Sequence, residues 1–250
     1  MKIGQQAEIL IGKTHLVGSM EIDEKVDVDG AAIGQVNGPA KRTIDATGRA
    51  VAPGFIDVHA HAAAAVLTSP MDFKLMQGVT TDIVGNCGAG IAPAIGGGVR
   101  GLPGVEIVLG PLPETTWQTF GEYMDAVDAS HPAINVACMI PHGIVRMRAV
   151  GMDRRPPDNR ELTQIREDVA EGMAAGAVAL STGLIYVPGT FAETDEIIAL
   201  AKVTAEYGGL YVSHIRNESD RLLEAVDEAI TIGREAGCPV QISHHKASDR

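Results

Sequence analysis

Ala52-Pro53-Gly54-Phe55-Ile56-Asp57-Val58-His59-Ala60-His61 decides how the rest of this chain is read: an apolar strand pattern ending in two histidines one residue apart. Side chains alternate faces along a strand, so His59 and His61 are expected to point the same way, ~6.5 Å apart along it. Two imidazoles at that spacing can hold one metal ion at ~2.0–2.1 Å each. Asp57 shares their parity and is expected one layer below, where a carboxylate can orient an imidazole. A strand end that merely carried exposed histidines would look the same locally. The decision rests on what lies further along.

From Val51 onward, apolar strands alternate with amphipathic helices, the pattern of βα units on a parallel sheet. Strands are expected near residues 51–58, 79–85, 133–139, 177–182, 209–213 and 239–243. One helix should start at an Asp158 cap and bury Leu162, Ile165, Val169 and Met173. A second begins near Thr194, with Ile197, Ile198, Ala201 and Val203 on one face. A third carries Leu222, Leu223, Val226, Ala229 and Ile230. Residues 1–52 read differently, as short β-like runs (Ala7–Ile11, Glu24–Val28, Ala31–Val36, Thr43–Asp45) between Gly and Asn turns. The division is therefore a β-rich portion over 1–52 and an α/β portion over 53–250. Between Asn86 and Thr115 a Gly- and Pro-rich stretch reads equally as a functional loop or a plain insertion. A closed barrel of this type takes eight strands, whereas six are expected here, and Ser243-His244-His245-Lys246-Ala247-Ser248-Asp249-Arg250 follows the last directly. The sequence reads as a fragment of a longer protein or a truncated gene product.

Composition narrows the partners. With 250 residues and 45% hydrophobic content the chain can bury a sizeable core. Its net charge of −12 argues against nucleic acid or an anionic membrane surface as partner. The N-terminus has no apolar signal region, and no apolar run approaches the length of a membrane span. Cys87, Cys138 and Cys238 are too few and too widely spaced for a disulfide framework, which fits a reducing cytoplasm.

Further chemistry falls at strand C-termini, where α/β-barrel sites are built. Val84-Gly85-Asn86-Cys87-Gly88 closes the second strand, and a thiolate there could ligate zinc at ~2.3 Å. Cys138, inside an apolar run, is its rival but reads as core; Cys238 reads as helix–strand packing. Leu210-Tyr211-Val212-Ser213-His214 ends the fifth strand, and Val240-Gln241-Ile242-Ser243-His244-His245-Lys246 ends the sixth. One strand-end histidine is usually structural, but this many at the same end of successive strands points to a shared centre. His15, His131 and His142 lack that placement and read as structural or surface residues.

Together these segments, with Leu180-Ser181-Thr182-Gly183-Leu184-Ile185-Tyr186, resemble the amidohydrolase superfamily and within it the N-acyl-D-amino-acid deacylases. The resemblance runs from Lys41 to Arg250. It implies a distorted (β/α)8 TIM-type barrel, incomplete here, with a small N-terminal β-sandwich portion. It implies zinc held by Cys87, His214 and His244, with His59 and His61 serving a second, weaker metal position. Tyr186 and Lys246 match the family's contacts to the substrate carboxylate, which an ammonium and a phenol can hold by hydrogen bonds. The implied substrate is a small molecule, an N-acyl-D-amino acid hydrolysed at its amide. The family's catalytic Asp lies on an eighth strand, so it is expected beyond Arg250 and no residue of this chain takes that role. Ala62-Ala63-Ala64-Ala65 stands where the family carries acidic residues after the paired histidines. Two other readings are kept. A cyclic amidase of the dihydropyrimidinase or dihydroorotase kind needs a lysine on strand four, where Ala177–Thr182 has none. A non-catalytic metal-binding fragment follows if the missing strands are never supplied.

Overall fold

Six apolar segments form one parallel sheet in sequential order: β1 (Phe55–Ala60), β2 (Val79–Val84), β3 (Asn135–Pro141), β4 (Ala179–Gly183), β5 (Leu210–His214) and β6 (Val240–Ile242). The computed structural model describes residues 53–95, 108–114 and 117–248, with the backbone of Lys25–Val26 and Ile33–Gly34. Those two short strands pair antiparallel, within two of the runs read as β-like. The other two runs, and the division at residue 52, lie outside the described residues. The sheet curls as half of a TIM-type barrel. β3 runs on to Pro141, so Cys138 sits within the strand, not at its end.

Helices connect each strand to the next, as a parallel sheet requires. Two one-turn helices, α1 (Ala65–Thr68) and α2 (Asp72–Leu75), lie between β1 and β2. Next come α3 (Phe120–Ser130), α4 (His142–Val150), α5 (Asn159–Ala174), α6 (Thr194–Glu206) and α7 (Leu222–Ala236). The main core lies between helices and sheet; Ile140, Leu180, Tyr211, Ile165, Leu200 and Ile232 are fully buried there. A second, smaller layer gathers Ile83, Met139, Ala179 and Val212, one residue from each of β2 to β5. Inward-facing layers of this kind fill barrel interiors, so the sheet is packed on both sides.

The helix signals mostly hold. Asp158 caps α5 by accepting from the backbone N–H of Arg160 and Glu161 at 2.8 Å each, while the Glu161 carboxylate accepts from the Asp158 N–H at 2.8 Å. That reciprocal box satisfies N–H groups the helix itself cannot. α5 buries Ile165, Val169 and Met173 as the periodicity predicts. α7 follows its expected face in part: Ala229 is buried and Leu222 and Val226 pack against the core, but two expected residues do not. Leu223 is 78% exposed and Ile230 42%, while Ala225, Ala229, Ile232 and Gly233 face inward. The reason is close approach: a Cβ at Gly233 would sit 2.0 Å from Val240 Cγ2, so the small-residue side meets β6. Leu223 and Ile230 fall outside that face.

His142 proves structural, as expected. Its ring is buried with Nε2 3.0 Å from Glu196 Oε1, and the buried Arg146 Nε donates to the same oxygen at 3.1 Å, tying α4 to α6. His131 is the left-handed C-cap of α3; His15 lies outside the described residues.

Asp158→Ala removes the cap of α5 and is expected to lower stability by about 1 kcal/mol. The denaturation midpoint checks this; an unchanged midpoint would show that the box contributes nothing.

Candidate metal centre

β2 ends because the backbone must turn where only glycine fits. Gly85 has φ 92°, and a Cβ there would lie 2.4 Å from the Met139 carbonyl oxygen. The following turn, Asn86–Gly88, holds Cys87 at φ 56°, a left-handed conformation uncommon for a residue with a side chain. Such backbones persist when their surroundings over-determine them. Here Asn86 Nδ2 donates to the carbonyls of Ile83 (2.9 Å) and Ala60 (3.3 Å), and the Gly88 N–H donates to Ser181 Oγ at 3.1 Å. Gly183 admits the turn from the other side, since a Cβ there would meet the Cys87 carbonyl oxygen at 2.1 Å.

Three imidazoles converge on the sulfur. Cys87 Sγ lies 3.4 Å from His59 Nε2, 3.4 Å from His214 Nδ1 and 3.3 Å from His244 Nε2. Zn–S near 2.3 Å and Zn–N near 2.0–2.1 Å in a tetrahedron imply S···N separations of about 3.5 Å. The donor spacing therefore suits a single ion. The ligand atoms of His59, Cys87 and His244 all lie within 4.8 Å of one another. His61 is set back: its ring centroid is 5.3 Å from that of His59, and its buried Nδ1 has no hydrogen-bond partner among the described residues. His244, like Cys87, has a left-handed backbone (φ 48°).

The chemistry of the donors also fits a cation. Burial, reinforced by the Glu218 charge and opposed by Lys246, pushes the Cys87 thiol up to about 12. Burial and the neighbouring imidazoles of His244, His61 and His214 bring His59 down to about 4, against the pull of Asp57. His61 is lowered by burial and by His244. His214 is lowered by burial, with Glu218 acting in the opposite direction. Neutral imidazoles around a sulfur are what a metal needs, and the ion's own charge supplies the reason for the thiol to ionise.

Asp57 does not orient an imidazole. Its Oδ1 accepts from the His59 backbone N–H at 3.1 Å and its Oδ2 from Lys74 Nζ at 2.6 Å. Lys74 also donates to the buried Asp82 at 2.8 Å, so Asp57 braces β1 against β2 and α2. Cys138 and Cys238 are buried free thiols that do not join the donor group of His59, Cys87 and His244, and Cys138 sits beside Tyr123.

Tyr186 and Lys246 border the same space. The Tyr186 ring centroid is 4.8 Å from that of His214, and burial raises its phenol. A cavity of about 750 Å³ opens beside the sulfur, lined by His61, Cys87, His214, His244, Tyr186 and Lys246 at one side and by Val108, Leu109, Ile144, Met147 and Met152 at another. All seven residues singled out in the sequence are thus brought together. What the sequence did not single out is their support: Ser181 and Gly183 under the cysteine turn, and Glu218, buried between His214 and Lys246. Below them Thr182 Oγ1 lies 3.0 Å from the Tyr211 hydroxyl and donates to Ser213 Oγ at 3.1 Å, crossing β4 to β5.

Residues 42–250 match the amidohydrolase family. The chain belongs to that family. It is 41% identical over 222 residues to the N-acyl-D-glutamate deacylase of Alcaligenes xylosoxydans xylosoxydans, covering 86% of this chain and 44% of the relative. To the D-aminoacylase of the same organism it is 37% identical over 245 residues, 95% of this chain and 50% of the relative. The solved N-acyl-D-glutamate deacylase from Bordetella bronchiseptica, complexed with zinc and a phosphonate mimic of the reaction tetrahedral intermediate, superposes with a TM-score of 0.79 at 40% identity. That match covers 87% of this chain and 45% of the other. The chain spans about half the length of the relatives it matches.

Gly183→Ala places a methyl group against the Cys87 carbonyl and is expected to destabilise the fold by about 1–3 kcal/mol, as overpacking does. A shifted unfolding midpoint checks this; a neutral outcome would show that the cysteine turn yields freely.

Proposed function

We propose that this chain is the greater part of the metal site of a zinc-dependent hydrolase that cleaves the amide bond of N-acyl-D-amino acids, giving a carboxylate and a free D-amino acid. The observation that carries the reading is the approach of three imidazole nitrogens to the buried Cys87 sulfur at 3.3–3.4 Å. Cys87, His214 and His244 would hold the tight zinc, and His59 with His61 a second, weaker position. When bound, zinc supplies a Lewis acid for the acyl carbonyl and lowers the pKa of a bound water. Lys246 would hold the substrate carboxylate by a charge-assisted bond, with the Tyr186 hydroxyl as its second donor. Held at that end, the substrate presents its amide to the metal cluster, a fixed geometry worth several kcal/mol of barrier in favourable cases. The general base is assigned to none of the residues of this chain.

The free state of all three cysteines fits a cytoplasmic setting, and no helix among the described residues is long and apolar enough to cross a membrane. The cyclic-amidase reading finds no support at β4, where Ala179–Gly183 offers no lysine to bridge two metals. The D-amino-acid preference comes from the resemblance and the relatives' names, not from a contact in this structure.

The test is zinc analysis of the full-length protein together with hydrolysis of N-acetyl-D-methionine, N-acetyl-D-glutamate and N-acetyl-D-aspartate, with L-isomers as controls. Stoichiometric zinc and D-selective turnover are expected, lost on chelation. Cys87→Ala should lower activity at least 100-fold and abolish tight zinc binding, whereas Cys138→Ala should keep both. A zinc-free protein, or full activity in Cys87→Ala, would sink the reading. Zinc binding without turnover on any of these amides would favour the non-catalytic alternative.

A further inference from the structure

We infer that Glu218 is a positioning residue whose single carboxylate couples the metal ligand His214 to the substrate-holding Lys246; this rests on the function proposed above. Glu218 lies four residues beyond His214, between β5 and α7, and is only 7% exposed. Its Oε1 is 3.2 Å from His214 Nε2, the ring nitrogen opposite the one that faces Cys87. The two atoms meet off the hydrogen-bond line, and neither has a hydrogen-bond partner elsewhere among the described residues. Its Oε2 is 3.2 Å from Lys246 Nζ. Its backbone carbonyl accepts from the Ser248 N–H at 2.6 Å, so the segment that carries Lys246 is fastened to it twice.

A carboxylate at the outer nitrogen of a metal-binding histidine fixes the tautomer and the ring direction, and its loss typically costs 10–100-fold in metal affinity. Here the same carboxylate also anchors the lysine, whose side chain is 54% exposed and would otherwise range through solvent. A buried carboxylate needs a charged partner, and Lys246 is that partner. One rigid group thereby sets the span between the metal and the ammonium. That span must match the distance from the scissile carbonyl to the carboxylate of an N-acyl amino acid.

The experiment compares the full-length protein with Glu218→Gln, Glu218→Ala and Lys246→Met by zinc competition against a chromophoric chelator, and by KM and kcat for an N-acetyl-D-amino acid. Glu218→Gln keeps the shape and loses the charge, so it guards against a misfolded Glu218→Ala. Glu218→Gln is expected to weaken zinc 10–100-fold and to raise KM at least fivefold at saturating zinc, with the circular dichroism of the folded protein unchanged. Lys246→Met should raise KM while leaving zinc affinity within twofold. Wild-type zinc affinity in Glu218→Gln would overturn the link to His214. Weakened zinc with unchanged KM would overturn the link to Lys246. If the unsubstituted protein binds no zinc, the proposed function falls and this inference with it; if it binds zinc and Glu218→Gln binds it equally tightly, this inference alone falls.

Discussion

Everything at the mouth of this sheet depends on one buried sulfur held in a left-handed turn. Cys87 lies 28, 127 and 157 residues from His59, His214 and His244 in sequence, so no local segment can assemble the cluster. The sheet does it, by laying strands side by side in sequence order and ending each at the same level. The turn reaches the center because Gly183 offers no side chain to the Cys87 carbonyl and because Ser181 accepts from the Gly88 N–H. This is why the Leu180–Tyr186 segment carries so much of the site's geometry.

Much of this was legible in the sequence, and for a stated reason. Apolar runs of strand length, followed by amphipathic stretches, leave few topologies other than a parallel sheet, and the His and Cys residues fell at the ends of those runs. The Asp158 cap was equally plain, because an Asp just before an apolar run at helical spacing marks a helix start. Three things were not. Part of the buried face of α7 was hidden because Ala225 and Gly233 pack by absence of bulk, which a search for large apolar residues passes over. Asp57 was assigned by strand parity alone, but Lys74, from a one-turn helix without periodicity, claims it. Glu218 had no signal at all: its partners are 4 and 28 positions away, and only the fold brings both to one carboxylate.

The donors are fastened by different means. Cys87 follows β2 and His214 ends β5, both strands paired on two sides. His59 lies on β1 and His61 just past its end; among the described residues β1 pairs with β2, and Phe55, Ile56 and Val58 on it are largely exposed. Two devices steady that strand: Asn86 donates to the Ala60 carbonyl, and Lys74 bridges Asp57 to Asp82 across β1 and β2. His244 follows β6, a strand of three residues. There the compensation is different, since Ser243 N–H donates to the Ser213 carbonyl and Ser248 N–H to the Glu218 carbonyl. Bonds outside the strand ladder thus fix the level at which His59 and His244 meet Cys87, so the cluster depends on these few contacts as much as on the sheet.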